Sequence, residues 1–240
     1  MGATSRPFLT AQWRHLVMLS YAVDPTRIID YVPAGTTLDS WRGKTLVSMV
    51  GFQFLETKVL GAPIPFHQDF EEVNLRFYVR RTTEDEVRPG VVFLKELVPR
   101  PIVGGMARLL YREPYLVVPM RSTVNPGPPP DVEYQWEAAG RWCTLGAVGE
   151  GASAETTPGS LEEFLTVRQW GYNGESGKDT LEYRVDRPRW RIWHAHRTHV
   201  DYNAEALCGF ELAKQLRTPI SVLIADGSAV SIHWRNRIAP

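Results

Sequence analysis

The sequence predicts an α+β protein built on a large bent antiparallel sheet or a barrel, with a few short helices. Three observations indicate this fold class. Residues 72–80 alternate strictly between apolar and polar side chains, which is typical of a strand with two different faces. Most other apolar segments are also strand-like in length. The 18 prolines and 19 glycines indicate many turns and leave little room for long helices.

The N-terminal third begins with two predicted strands, at residues 13–23 and 45–58. Between them, Asp24 and Pro25 have the residue types of a helix N-cap and a first helical position, so a short helix is expected there. A short strand at residues 38–41 precedes the second long strand. This order favours neighbouring strands joined by tight connections.

The segment after residue 98 contains a predicted helix that begins at Pro101, because proline is tolerated in the first turn. Its apolar stripe consists of Ile102, Val103, Met106, Leu109 and Leu110. Arg108 lies off this stripe and faces either solvent or a site. Further strands are predicted at residues 115–121, 133–138 and 142–148, and two more within residues 181–200.

The C-terminal third contains two predicted helices and one predicted hairpin. Ser160 and Glu163 have the spacing of a capping box for a helix that starts at residue 161. A second helix is predicted at residues 203–216. The dipeptide Asp226-Gly227 stands between two apolar runs and predicts a hairpin turn.

The alternating strand at residues 72–80 has a polar face that we expect to line an internal pocket. That face consists of Glu72, Asn74, Arg76, Tyr78 and Arg80. The next run, residues 90–98, is apolar on both sides, as in a strand that is covered on both faces. If the two strands pair, Lys95 or Glu96 lies beside the polar row, depending on the register. The alternative is an ordinary sheet face exposed to water, since polar surface rows are common.

The bulk composition excludes several classes of protein. The 240 residues contain 27 basic and 27 acidic side chains, which argues against binding to nucleic acid or to an anionic membrane. No apolar run reaches the roughly 20 residues that a membrane helix needs. Cys143 and Cys208 are far apart in sequence, so we expect reduced thiols in a cytoplasmic protein.

Two other clusters contain residue types that occur in binding sites. His194 and His196 would lie on one strand face with His199 nearby, but a metal site needs a further ligand such as Asp201 or Glu205. We therefore predict no metal. Tryptophans and arginines are interspersed through residues 184–197, and this mixture favours a contact between subunits over a nucleic-acid surface. The chain is thus a possible homo-oligomer.

Six motifs in order resemble the YqjF-like family, an uncharacterised bacterial group in the acetoacetate decarboxylase-like superfamily. They are WRHLVML, VPAGTTLD, LVSMVGFQF, PFHQDFEEVNLRFYV, GVVFLKEL and ARLLYREPY. The resemblance covers roughly the whole chain. It implies one domain, residues 1–240, whose bent antiparallel sheet closes into a cone or barrel around a central cavity.

This sequence departs from the superfamily at the position of the catalytic lysine. Acetoacetate decarboxylases use a Schiff-base lysine that follows a proline, in a Pro-Lys-Lys pattern, and that must be uncharged to attack. The corresponding place here holds Pro99, Arg100 and Pro101. Arginine stays protonated and cannot be that nucleophile. The only lysine near this segment is Lys95.

We predict that the protein has an internal pocket for a small molecule with a carboxylate or carbonyl. The protein would act on this molecule as a decarboxylase-like enzyme or a related lyase. Lys95 and Glu96 are the candidate catalytic residues, and no cofactor is expected. Arg76 would pair with the anionic end of the ligand. The remaining candidate ligand-binding residues are Asn74, Tyr78, His67, Arg108 and Tyr115. The alternative is a module without catalysis that binds a small ligand or assembles subunits.

Overall fold

The computed structural model describes residues 6–101, 104–105, 112, 114–174 and 179–238. Within these ranges the chain forms 17 strands. They are β1 (Leu9–Val23), β2 (Thr37–Leu38), β3 (Ser40–Trp41), β4 (Lys44–Val59), β5 (Ala62–Pro63), β6 (Phe70–Thr82), β7 (Val87–Val98), β8 (Tyr115–Val117), β9 (Met120–Asn125), β10 (Asp131–Ala138), β11 (Arg141–Gly149), β12 (Ala154–Glu155), β13 (Trp170–Asn173), β14 (Thr180–Asp186), β15 (Arg191–Asp201), β16 (Ser221–Ile232) and β17 (Asn236–Ile238).

The helices in the described part are short. They are α1 (Leu161–Thr166), α2 (Ala204–Cys208) and α3 (Phe210–Ala213), and two 3-10 turns cover Pro25–Arg27 and Ile29–Tyr31. Asp24 accepts a hydrogen bond from the backbone N–H of Thr26, and Ser160 accepts one from the backbone N–H of Glu163. Both predicted caps and the α+β class are therefore confirmed. The described helices are too short to cross a membrane.

Seven of the strands close into a ring. β1 pairs with β4, β4 with β6, and β6 with β7. β7 then pairs in parallel with β13, β13 pairs with β14, β14 pairs with β16, and β16 returns to β1. β9, β10, β11 and β15 form a further set of paired strands that joins the ring through β16. The sheet is therefore a ring with branches and not a simple barrel.

The ring strands separate two apolar clusters. On β1, Leu16 and Met18 belong to the cluster inside the ring, while Val17 and Leu19 belong to the cluster outside it. Strands β10 and β11 contribute to the outer cluster, so they cover that face. A Cβ on Gly51 would lie 2.6 Å from the ring of Tyr134, so glycine is required there for the two layers to approach.

Two predicted elements are divided in the structure. The predicted strand at residues 115–121 is the pair β8 and β9, which Val118 and Pro119 separate. The predicted helix at residues 203–216 is α2 followed by α3, because Gly209 adopts a φ of 75° between them. The predicted helix from Pro101 falls largely on residues outside the described part.

The predicted hairpin at Asp226-Gly227 is wrong. β16 runs through this dipeptide and pairs with β1 from Ser221 to Ile232. A two-residue hairpin turn of the expected type needs a positive φ at both central residues. Here Gly227 has a φ of 82° while Asp226 does not have a positive φ, and the strand continues through a local distortion.

Gly227 gives a test of this geometry. A Cβ at Gly227 would lie 2.0 Å from the carbonyl oxygen of Trp13, whereas a Cβ at Gly43, whose φ is 80°, meets nothing within 4 Å. Gly227→Ala should lower the free energy of unfolding by roughly 3 kcal/mol, and Gly43→Ala by about 1 kcal/mol. Urea denaturation measures both. If both variants lose the same free energy of unfolding, the close approach of β1 to Gly227 does not contribute to stability.

Candidate functional site

The ring encloses a cavity of about 80 Å³. Part of its wall is aromatic, because Trp13 packs edge-on against Phe52 and against Trp190, with ring centroids 5.3 Å and 6.4 Å apart. Aliphatic side chains such as Leu16 and Val185 also line it. The polar part of the lining consists of Glu72, Asn74, Arg76, Glu96, Tyr115, Arg168 and Arg187. The cavity therefore combines an apolar wall with a cluster of charged and hydrogen-bonding groups.

Strand pairing explains how most of these groups come together. The alternation of β6 directs Glu72, Asn74 and Arg76 to the inside of the ring. Asn74 pairs with Glu96 on β7, and Glu96 pairs with Tyr115 on β8. Side chains at paired positions lie on the same face of a sheet, so three neighbouring strands contribute to one polar surface.

A bulge decides which residues of β7 face the cavity. The register between β6 and β7 shifts between Leu75 and Arg76, so that Leu75 pairs with Lys95 while Arg76 pairs with Phe93. As a result Phe93 and Glu96, three residues apart, both line the cavity. In a regular strand they would lie on opposite faces.

Glu72 is a buried carboxyl group with two hydrogen-bond donors. Its Oε1 accepts from Nδ2 of Asn74 at 3.0 Å, and its Oε2 accepts from the hydroxyl of Tyr115 at 2.9 Å. Burial raises the pKa of Glu72 to about 7, against the opposing effects of these two hydrogen bonds and the charge of Arg76. Glu72 can therefore take up or release a proton near neutral pH.

Two of the three arginines are held by neighbouring groups. Arg168 forms an ion pair with Asp39 at 2.5 Å and donates through Nε to the carbonyl oxygen of Phe164 at 2.7 Å. Arg187 donates to the carbonyl oxygen of Thr166 and stacks on Trp190, with its Cζ 3.6 Å from the ring centroid. These contacts position both guanidinium groups against the cavity.

The arginine pKa values reflect a crowded positive charge. Burial lowers the pKa of Arg187 to about 9, and the charge of Arg76 adds to this effect. Burial also lowers the pKa of Arg168, although Asp39 opposes it. Both remain protonated at neutral pH. Three guanidinium groups therefore share this cavity with the carboxyl groups of Glu72 and Glu96.

Arg76 is the arginine with the fewest partners. It is 9% exposed, and its Nε has no hydrogen-bond partner in the described part of the chain. The neighbouring Asn74 Oδ1 is likewise buried and unpaired there. Buried polar atoms nearly always have a partner in native proteins, so this adjacent donor and acceptor suit the polar atoms of a ligand.

The structure gathers four of the residues predicted from sequence. Asn74, Arg76, Glu96 and Tyr115 line the cavity. Tyr78 is buried close by, and its hydroxyl lies 2.6 Å from Oγ of Ser48. The centroid of its ring lies 6.0 Å from the guanidinium carbon of Arg76, so Tyr78 lies next to Arg76 but does not line the cavity.

The other predicted site residues lie elsewhere. Lys95 pairs with Leu75, which belongs to the outer cluster, and it does not line the cavity. His67 is half-buried in the connection before β6, where its Nδ1 lies 2.8 Å from the carbonyl oxygen of Pro65. Arg108 lies outside the described residues.

Three charged residues of the cavity lining were not predicted from the sequence. Glu72 belongs to the predicted polar row but was not among the candidate site residues. Arg187 falls in the segment rich in tryptophan and arginine that was interpreted as a subunit contact, and stacking of arginine on tryptophan was the available signal. Arg168 follows α1 with no pattern that marks it. Trp190, from the same segment, is buried at the cavity wall.

The histidines of β15 do not form a metal cluster in the part of the chain that the structure describes. No group of three or more His, Cys, Asp or Glu side chains there could hold a metal ion. His196 Nδ1 lies 3.0 Å from the carbonyl oxygen of Gly149, and His199 lies 3.7 Å from Asp131. These contacts brace β15 against β11 and β10.

The ring and its cavity define an acetoacetate decarboxylase-like fold. The enduracididine biosynthesis enzyme MppR aligns with 97% of this chain and 88% of its own, at a TM-score of 0.65 and 14% identity. An acetoacetate decarboxylase-like enzyme from Sphingomonas wittichii RW1 gives 0.63 over 96% and 92%, at 14% identity. Acetoacetate decarboxylase from Legionella pneumophila gives 0.64 over 97% and 87%, at 11% identity.

The chain belongs to the DUF2071 family, described as an uncharacterized conserved protein, which matches residues 10–229. It is also 27% identical over 114 residues to the uncharacterized protein YqjF of Bacillus subtilis (strain 168). That match covers 47% of this chain and 46% of the relative, so it spans about half of each. The predicted family and fold are confirmed.

Glu72 predicts a pH-dependent stability. Because its pKa is about 7 in the folded protein against an ordinary value of 4.5, the folded state holds a proton that the unfolded state has released between these pH values. Wild-type stability should therefore fall as the pH rises through this window. Glu72→Gln cannot titrate, so its stability relative to wild type should improve from pH 5 to pH 8 by up to roughly 3 kcal/mol.

Urea denaturation of both proteins at the two pH values measures this difference. Glu71→Gln is the matched control, because Glu71 is the neighbouring carboxylate on the opposite side of β6. A relative stability of Glu72→Gln that stays constant with pH would contradict the raised pKa of Glu72.

Proposed function

We propose that the ring cavity binds a small organic anion that carries a carboxylate and a carbonyl group. The observation that carries this proposal is the buried guanidinium of Arg76, which lines the cavity and whose Nε has no partner among the described residues. A planar guanidinium offers paired donors that match a carboxylate. The adjacent Asn74 would orient the ligand by a hydrogen bond.

The size of the cavity limits the ligand. One water molecule needs about 10–15 Å³ of cavity volume. The cavity of about 80 Å³ therefore has room for roughly five to eight water-sized groups. Small keto acids fall in this range. One of the similar structures is MppR complexed with pyruvate, which supports a keto acid as the class of ligand.

The proposed chemistry is proton transfer next to the ligand carbonyl, without an imine. When a β-keto acid loses CO₂, the electrons of the broken carbon–carbon bond move onto the carbonyl oxygen and form an enolate. The guanidinium of Arg76 would stabilise that negative charge. Glu72 in its protonated form would then supply the proton that converts the enolate carbon to product.

The second candidate function is binding without catalysis. It is favoured by the sequence Pro99-Arg100-Pro101 where the decarboxylase pattern has its lysines, together with the position of Lys95 outside the cavity lining. A pocket can persist in a fold where the reaction differs. Three further points stay predictions: the chain is one domain, it forms homo-oligomers, and it works in the cytoplasm.

Replacing Arg76 tests the anion pocket. Arg76→Gln should weaken the binding of pyruvate about 10- to 100-fold, because a charge-assisted hydrogen bond to the carboxylate is lost. Arg80→Gln is the matched control, since Arg80 lies on the same strand with a side chain that is 54% exposed. Isothermal titration calorimetry measures both affinities. Equal affinities in the two variants would reject Arg76 as the anion-binding group.

The route of catalysis is tested by trapping. Borohydride reduction in the presence of acetoacetate should leave no mass adduct on any lysine, because none of the cavity-lining residues in the described part is a lysine. If the protein is an enzyme, acetoacetate should still release CO₂ in wild type, and at least ten times more slowly in Glu72→Gln. An adduct on Lys95 would restore the imine route. Absence of CO₂ release would favour the binding module.

A further inference from the structure

A second cavity, of about 400 Å³, lies on the outer side of the ring. Its lining comes from β1, β4, β10, β15, β16 and the connection between β9 and β10. None of the residues that line it also lines the central cavity. The two cavities therefore have separate linings. A volume of this size is in the range of small-molecule sites in proteins.

Distortions of two paired strands open this cavity. The register between β1 and β4 shifts between Arg14 and Val17, and His15 has a φ of 56° within that shift. On the partner strand β16, Gly227 has a φ of 82° opposite Arg14. Bulges of this kind bend a sheet and redirect side chains. Here they turn the segment around Arg14 and Asp226 toward the recess.

The recess contains a hydrogen-bond donor and an acceptor that are both unused. Trp193 Nε1 and Asp226 Oδ1 are buried, and neither has a hydrogen-bond partner in the described part of the chain. Both residues line this cavity. Because unsatisfied buried polar atoms are rare in native proteins, two of them in one recess indicate a place for a polar ligand.

The recess also contains two opposite charges that do not neutralise each other directly. Arg14 donates to Oε1 of Gln12 at 2.9 Å, and no direct hydrogen bond joins it to Asp226. Burial raises the pKa of Asp226, while a backbone hydrogen bond from Arg191, the charge of Arg14 and a backbone hydrogen bond from Gly227 oppose that effect. Burial and the charge of Arg14 lower the pKa of His15, so that imidazole is neutral at pH 7. The recess thus presents one cation, one anion and an indole N–H.

We propose that this recess binds a small zwitterion, namely an α-amino acid with an apolar side chain. The ligand ammonium group would donate to Asp226 Oδ1. The ligand carboxylate would accept from Arg14 and from Trp193 Nε1. Each unused polar atom of the recess then gains a partner, and each charge meets its opposite.

The remaining lining suits the apolar side chain of such a ligand. Pro130, Val132 and Ile224 form a buried floor, and Leu55 is half-buried at the side. A simple anion would meet Asp226 as a like charge, and a simple cation would meet Arg14 in the same way. An uncharged hydrocarbon would leave the indole N–H and the carboxylate without partners.

The probes are L-leucine and its two monofunctional analogues, 4-methylpentanoate and 3-methylbutylamine. Calorimetric titration of the full chain should show saturable binding of L-leucine and at least tenfold weaker binding of each analogue. Trp193→Phe, which removes only the indole N–H, should weaken L-leucine binding about fivefold. Asp226→Asn should weaken it at least tenfold, and Arg76→Gln, in the central cavity, should leave it unchanged.

Several results would overturn the proposal. They are the absence of saturable L-leucine binding to wild type, equal affinity for either analogue, or an unchanged affinity in Asp226→Asn. Circular dichroism establishes that each variant is folded. If Asp226→Asn does not fold, Trp193→Phe and Arg14→Gln decide in its place, and unchanged binding in both overturns the site. Loss of L-leucine binding in Arg76→Gln would assign the ligand to the central cavity instead.

Discussion

The site depends on the burial of both faces of β6. One face, with Val73, Leu75 and Phe77, packs in the outer cluster, while Glu72 and Arg76 on the other face are enclosed by the ring. Removing charged groups from water is costly unless they find partners or change protonation. Asn74 on β6 and Tyr115 on β8 are the partners of the carboxyl group of Glu72, and burial shifts that group toward its neutral form. Arg76 keeps its charge.

Local irregularities then determine which side chains complete the site. The bulge opposite Leu75 and Arg76 turns both Phe93 and Glu96 inward and leaves Lys95 outside. A register shift of one residue therefore decides whether Glu96 or Lys95 lines the cavity. The same kind of distortion on β1 and β16 shapes the outer recess. In both places a backbone irregularity, added to the regular strand alternation, determines which side chains line the cavity.

The sequence predicted the polar row of β6 because strand alternation is a local property, and Asn74 and Arg76 follow from it directly. It could not choose between Lys95 and Glu96, because a bulge moves every later residue by one and leaves no mark in a single sequence. It missed Arg168 and Arg187, which reach the cavity from segments about a hundred residues away. The hairpin at Asp226-Gly227 failed because a long-range pairing with β1 overrode a strong local turn signal.

The proposed binding of an anion in the central cavity would be linked to proton binding. A ligand carboxylate beside Arg76 adds a negative charge near Glu72, and like charges in a buried site cannot both ionise without a large cost. The bound anion therefore favours the protonated form of Glu72, whose pKa is already about 7. Binding should draw a proton into the cavity at neutral pH, and by the same linkage a higher pH should weaken binding. On the proposed function, a cavity that takes up a proton together with its anion would hold both the cation that stabilises an enolate and the acid that protonates it.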